Sequence, residues 1–300
     1  MRIIQDRFTS RLTTMDEAPE SLLRTLRAML KADDIIHLLL FGPANKIPGQ
    51  ESPATLLALL DSEWVVVSGT EDIKPSVVRC SFAATLLVEI TTILLYGKLR
   101  FDFTAEGRTE SVAVYFNTMM EGLYHEAAQL VMNGMDDISA IMPGESNEPS
   151  SAFESLPLEF RNVMLDVMPR GQHTLALVHW PADLGHRLNG LRKELAPEAV
   201  LALTQRELLF ISEETTKSLG RPGSVQKYGS VVTHCPLSRL AGFHLSEHDQ
   251  LETIDVELYA TEGGEKLKID YPGEQKTEVV AFMERVIKQR SAAGRELERT

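Results

Sequence analysis

The sequence predicts a mainly β fold of the α+β class: two tandem seven-stranded barrels, each with a leading helix and a C-terminal capping helix. Three observations predict it. The chain matches itself across a long offset, each matching half holds seven short apolar or alternating runs, and each half closes with an amphipathic stretch at helical spacing. A length of 300 residues agrees with two domains.

The self-match is clearest between PATLLALLDSEWVVVS (Pro53–Ser68) and PEAVLALTQRELLFIS (Pro197–Ser212), where six of sixteen positions are identical at an offset of 144. Upstream, Pro19, Leu22 and Leu26 match Pro157, Phe160 and Met164 at an offset of 138. Downstream, SVVRC (Ser76–Cys80) faces SVVTHC (Ser230–Cys235), and the offset settles at 155. Repeats of this length set the organisation of the whole chain. They divide it into an N-terminal tail (residues 1–18), a first unit (19–135), an acidic linker (136–154), a second unit (155–291) and a C-terminal tail (292–300). Segment 136–154 carries five acidic and no basic residues, with Pro143, Gly144 and Pro149, a composition that stays solvated.

Each unit opens on a helix started by proline (Pro19, Pro157), which loses nothing at a position whose N–H has no partner. Leu22, Leu23, Leu26, Met29 and Leu30 then recur at helical spacing, as do Phe160, Val163, Met164 and Val167. Strands are expected at 35–41, 55–60, 63–68, 76–82, 85–92, 98–104 and 111–117, and again at 173–179, 199–204, 207–212, 230–236, 239–246, 251–258 and 265–271. Leu99, Phe101 and Phe103 alternate with Lys98, Arg100 and Asp102, the mark of a strand with one buried face. The closing helices carry Met120, Leu123, Tyr124, Ala127, Leu130 and Val131 in one unit and Val279, Phe282, Met283, Val286 and Ile287 in the other. Gly134 is expected as a C-terminal cap.

The hairpin VLALTQRELLFIS (Val200–Ser212), the later CPLSRLAGF (Cys235–Phe243), two alternating strands and a terminal helix together resemble the bacterial pleckstrin-homology-like (PH-like, GRAM-type) domains, in two tandem copies. The resemblance implies small barrels plugged at one end by a helix. It also implies a loop between strands as the place where such domains hold anionic head groups.

Composition narrows the function classes. A net charge of −13 repels nucleic-acid phosphates, so no nucleic-acid partner is expected. Two cysteines make no disulfide framework and point to a reducing, cytoplasmic setting. No secretory or membrane-spanning run is read, since the apolar stretches 35–41 and 85–97 are short and contain His37 and Glu89. No phosphate-binding glycine loop and no G-x-S-x-G elbow occurs. Hence no catalytic residue, metal ligand or cofactor is assigned, and the chain is not read as an enzyme.

His244 and His248 stand four apart, but Leu245, Ser246 and Glu247 between them break the zinc-helix order, and a polar turn at a strand end is expected. Cys80 and Cys235 occupy matching places and read as core positions. Glu89 interrupts an apolar run and is expected on the solvent face of a half-buried strand. Ile93, Leu94, Leu95 and Tyr96 are expected to pack within the chain, between the two units, with packing onto another chain as the alternative. The extended second-unit loop 213–229 holds Lys217, Arg221 and Lys227, the candidates for anion or lipid binding. Three cations near an anionic membrane contribute about 1 kcal/mol each, little for so acidic a chain. The expected function is therefore a non-catalytic binding or scaffold protein, a protein–protein adaptor. The first alternative is a peripheral module for anionic lipid through loop 213–229, and the second is an enzyme with a site at the interface between the units. Partner identity and oligomeric state are not legible in the sequence.

Overall fold

A computed structural model describes residues 9–47, 50–70, 73–135, 151–168, 172–185, 193–217, 225–248, 251–261 and 263–297. The fold is mainly β. The first half runs β1 (Ser10–Arg11), α1 (Glu20–Met29), β2 (Leu38–Gly42), β3 (Asn45–Ile47), β4 (Gln50–Ser52), β5 (Ala54–Leu59), β6 (Glu63–Thr70), β7 (Ile73–Ser81), β8 (Thr85–Ile93), β9 (Tyr96–Ala105), β10 (Arg108–Asn117) and α2 (Glu121–Met135). The second half repeats the order. It runs α3 (Ser151–Glu154), α4 (Leu158–Val167), β11 (Ala176–Trp180), β12 (Asp183–Gly185), β13 (Lys193–Ala196), β14 (Ala199–Leu203), β15 (Glu207–Lys217), β16 (Val225–Pro236), β17 (Leu240–His248), β18 (Leu251–Ala260), β19 (Gly263–Pro272) and α5 (Lys276–Leu297).

Strands β5, β6, β14 and β15 carry unbroken apolar runs (Leu56–Leu59, Trp64–Val67, Ala199–Leu203 and Leu208–Ile211) because both of their faces are covered there. Leu57, Leu59, Trp64 and Val66 point into the first core with β8–β10 and α2, while Leu56, Ala58, Val65 and Val67 pack under Leu22, Leu23 and Leu26 of α1. The second half does the same. Leu201, Leu203 and Leu208 face Trp180, β17–β19 and α5, whereas Val200, Ala202, Leu209 and Ile211 lie under Phe160, Met164 and Val167 of α4. Strict alternation of strand side chains makes this two-sided burial possible.

The sheets do not close into barrels, and here the expected fold needs correcting. A five-stranded sheet has the order β1-β2-β5-β6-β7, a three-stranded sheet the order β17-β18-β19, and between them a seven-stranded sheet runs β10-β9-β8-β16-β15-β14-β11. That last sheet takes three strands from the first half and four from the second. Its seam is the antiparallel pair β8–β16, in which Thr91, Ile90, Glu89 and Val88 face Val231, Val232, Thr233 and His234. The edge that would have closed each barrel is instead spent on joining the two halves. A bulge between Thr85 and Leu87 in β8 turns the strand so that Leu86 and Leu87 are both buried in the second half's core.

The chain ends and connections differ from expectation in detail. Part of the N-terminal tail is ordered, with β1 pairing β2 and Thr9 Oγ1 3.0 Å from the Tyr124 hydroxyl. Of the acidic segment, Ser151–Glu154 is helical, and Phe153 is buried with the α4 cluster; residues 136–150 lie outside the described residues. Helix α5 continues to Leu297, into the expected tail. Gly134 lies inside α2 rather than after it. A Cβ there would stand 2.1 Å from the Phe82 ring, so glycine serves close packing and not capping. No described helix is long and apolar enough to cross a membrane.

Candidate inter-half groove

Joining the halves through β8–β16 brings α2 of the first half alongside α4 of the second, and a groove runs between them over the strand junction. At its inner end a cavity of about 10 Å³ is lined by Gln129, Asn133, Gln172, Arg206, Glu207 and His234, among others. His234 Nδ1 is 2.8 Å from Glu207 Oε2, with both side chains almost wholly buried, and Arg206 donates to Asn133 Oδ1 across the halves at 2.8 Å. The space is the size of one water, and His234 Nε2, without a partner among the described residues, lines it. The first half carries the matching pair, Arg79 on Glu63, and Arg79 also reaches Asp34 at 3.2 Å. Such a pair pins the start of one strand to the end of the next.

Further out, Ile90, Thr92, Ser230 and Val232 form the floor, with Glu121 and His125 of α2 on one wall and Val163 and Asp166 of α4 on the other. Thr92 and Ser230 hydroxyls lie 3.0 Å apart across the seam, and His125 Nε2 is held by Glu121 Oε1 at 3.1 Å. The imidazole is thus engaged by a carboxylate rather than by either hydroxyl. The groove opens into a space of about 380 Å³ bounded by Thr92, Leu94, Thr118, Met119 and Glu121. Three large apolar side chains stand around this mouth with most of their surface in solvent: Leu94 (66%), Leu95 (68%) and Met119 (73%). Leu94 has φ +52°, a conformation that costs a bulky residue energy and is held here by Thr118, whose hydroxyl donates to Leu94 O at 2.7 Å. The expectation that this stretch packs inside the chain therefore fails at Leu94 and Leu95, while Tyr96 does stack on Tyr115 at 5.6 Å. The two leucines are the whole turn between β8 and β9, so the hairpin geometry itself carries them clear of the core.

On the opposite face of the same sheet lies a buried ionic group. Glu89 accepts Lys98 at 3.3 Å and Arg100 at 3.1 Å, and Arg100 also meets Asp102 at 3.0 Å. Glu89 is only 8% exposed, which corrects its expected solvent position. Side chains do alternate along β8 and β9, but the second half covers their polar face: β18 packs against β8, and Thr109 of the neighbouring β10 donates to Gly264 O. Burial, reinforced by the charges of Glu265 and Glu89 and opposed by Arg100, raises the Asp102 pKa to about 6. Arg239 completes the joint by donating to Thr85 O at 2.9 Å and Phe82 O at 3.1 Å.

The sequence candidates for anion binding fall elsewhere. Lys217 ends β15 and Lys227 lies in β16, at register positions Lys217↔Val225 and Thr215↔Lys227, while Arg221 lies outside the described residues. What was expected as a loop is largely an extension of the β15–β16 hairpin beyond Ile93, where β8 stops opposite Gly229. His244 and His248 both lie in β17 rather than in a turn; four residues of strand span about 13 Å, too far to share one metal. His173 meets Gln205, His179 meets Glu198, and His186 lies outside the described residues. No metal-ligand cluster occurs among the described residues. Cys80 and Cys235 form no disulfide and are buried in the first and second cores, and burial pushes the Cys235 thiol well up. The groove walls had no sequence signature, because α2 and α4 belong to different halves and their apposition depends on the strand junction. No protein-family model and no curated protein matches the chain.

Proposed function

We propose that the chain is a non-catalytic cytoplasmic binding module built from two PH-like units, and that its partner is a protein seated in the groove between α2 and α4. The observation that carries this is the mouth of the groove, where Leu94, Leu95 and Met119 expose apolar surface on a strained turn. The matching positions of the second half are Asp249 and Gln250, so the leucines are not a requirement of the hairpin itself. A floor in which the paired Thr92 and Ser230 hydroxyls sit between Ile90 and Val232, with an apolar rim, suits orientation of a peptide segment. The PH-like reading rests on the hairpin resemblance and on the twice-repeated order of strands and closing helix.

Anionic lipid is the second reading, favoured by Lys217 and Lys227 on the hairpin arm beside the same mouth. Affinity capture from native cytoplasm with the wild-type chain, a Leu94→Asp/Met119→Asp variant and a Lys217→Glu/Arg221→Glu/Lys227→Glu variant separates the two. Protein recognition predicts a captured partner lost only with the apolar variant. Flotation with anionic but not neutral liposomes, lost only with the charge variant, would replace it with the lipid reading.

A further inference from the structure

The two halves are joined by an interaction between unlike edges of like units: the last strand of one four-strand array, β16, pairs with the first strand of the other half's three-strand array, β8. The counterparts of those edges are β7 and β17. In the first half Cys80 faces Trp64, and in the second Cys235 faces Leu208, so β7 corresponds to β16 at an offset of 155. β17 corresponds to β8 at the same offset, and even the bulge recurs, between Thr85 and Leu87 in one and Leu240 and Gly242 in the other. Yet β7 ends its five-stranded sheet and β17 ends its three-stranded sheet, and among the described residues no strand pairs with the outer side of either.

We infer that β7 of one copy pairs with β17 of a second copy, so that chains associate head to tail. Transferring the register of the internal seam places Ser76 opposite Ser246, Val77 opposite Leu245, Val78 opposite His244 and Arg79 opposite Phe243. The facing pairs are compatible: hydroxyl with hydroxyl at Ser76–Ser246, valine with leucine where the internal seam has Val232 with Ile90, Val78 with His244, and Arg79, its charge already held by Glu63 and Asp34, with Phe243. No like charges meet. Pro75 bounds the stretch on β7, and Arg290, which donates to Ala241 O at 2.8 Å, bounds it on β17, leaving these four pairs open between them.

The contact between copies is weaker than the seam within the chain. The residues matching Arg239, Leu86 and Leu87 are Ala84, Ala241 and Gly242, so the clamp and the apolar plug are absent. Association therefore depends on concentration. Because the two edges differ, the contact is heterologous and leaves a free edge at each end, which permits chains longer than two.

The test uses the full chain with Ser76→Cys or Ser246→Cys, changes close to isosteric, and a short bis-maleimide cross-linker; wild-type protein gives the background from Cys80 and Cys235. The expected result is a cross-linked dimer when the two variants are mixed, a severalfold lower yield from either alone, and a ladder from the double variant that fades on dilution. Equal dimer from Ser76→Cys or Ser246→Cys alone would overturn the head-to-tail pairing in favour of a two-fold one. Absence of cross-links in every sample, with sedimentation as a monomer at all concentrations, would overturn association altogether. The proposal is independent of the groove: the same cross-links form in a Leu94→Asp/Met119→Asp background.

Discussion

Leu87 lies in the first half of the chain but is 1% exposed within the core of the second, together with Trp180, Leu208 and Cys235. Leu87→Ala should therefore destabilise the half to which it does not belong in sequence. Removing three buried carbons costs about 2.4 kcal/mol at about 0.8 kcal/mol each, and the cavity left behind brings the total to about 3 kcal/mol. With a urea m-value of about 3 kcal/mol/M, the midpoint falls by about 1 M. Each core holds one wholly buried tryptophan, Trp64 in the first and Trp180 in the second, so fluorescence can report on each separately. In a Trp64→Phe background the remaining signal comes from Trp180, and its transition should move by the full amount. Leu99→Ala, in the first core, serves as the comparison. If the Trp180 transition stays in place while the Trp64 transition moves, Leu87 does not belong to the second core, and the placement of the seam is refuted.

Asp102 ionises near 3.8 as an ordinary aspartate and at about 6 in the fold, so between those values the folded chain holds a proton that the unfolded chain releases. Stability should rise as pH is lowered from about 7 to about 5, and Asp102→Asn should remove that slope while gaining on the order of 1 kcal/mol at neutral pH, read from urea midpoints at both values. Leu94→Gly relieves a positive φ and should raise stability by about 1 kcal/mol in thermal or urea unfolding while weakening partner capture; a loss of stability would show that the leucine is not strained. Gly134→Ala drives a methyl into the Phe82 ring and should cost about 1–3 kcal/mol by urea unfolding, outweighing alanine's better helix propensity.

The amino-acid sequence by itself determined the local elements and their order. Continuous apolar runs such as Leu56–Leu60 and Leu208–Ile211 announce strands covered on both faces, alternation in Leu99–Phe103 announces one buried face, and spacing in α2 and α5 announces stripes that must be covered. These are consequences of side-chain periodicity, which is a property of short segments. It also placed Cys80 and Cys235 in the two cores, because matching residues of a repeat meet matching surroundings. What covers each face was decided only in the tertiary structure. β8 and β16 pair through backbone groups that every residue possesses, so nothing in their side chains names the partner. That pairing opens the expected barrels, buries Glu89 and Asp102 under the second half, and sets α2 beside α4 to make the groove. Leu94 and Leu95 show the converse: an apolar stretch that periodicity would place inside stands in solvent because a two-residue turn leaves it nowhere else to point.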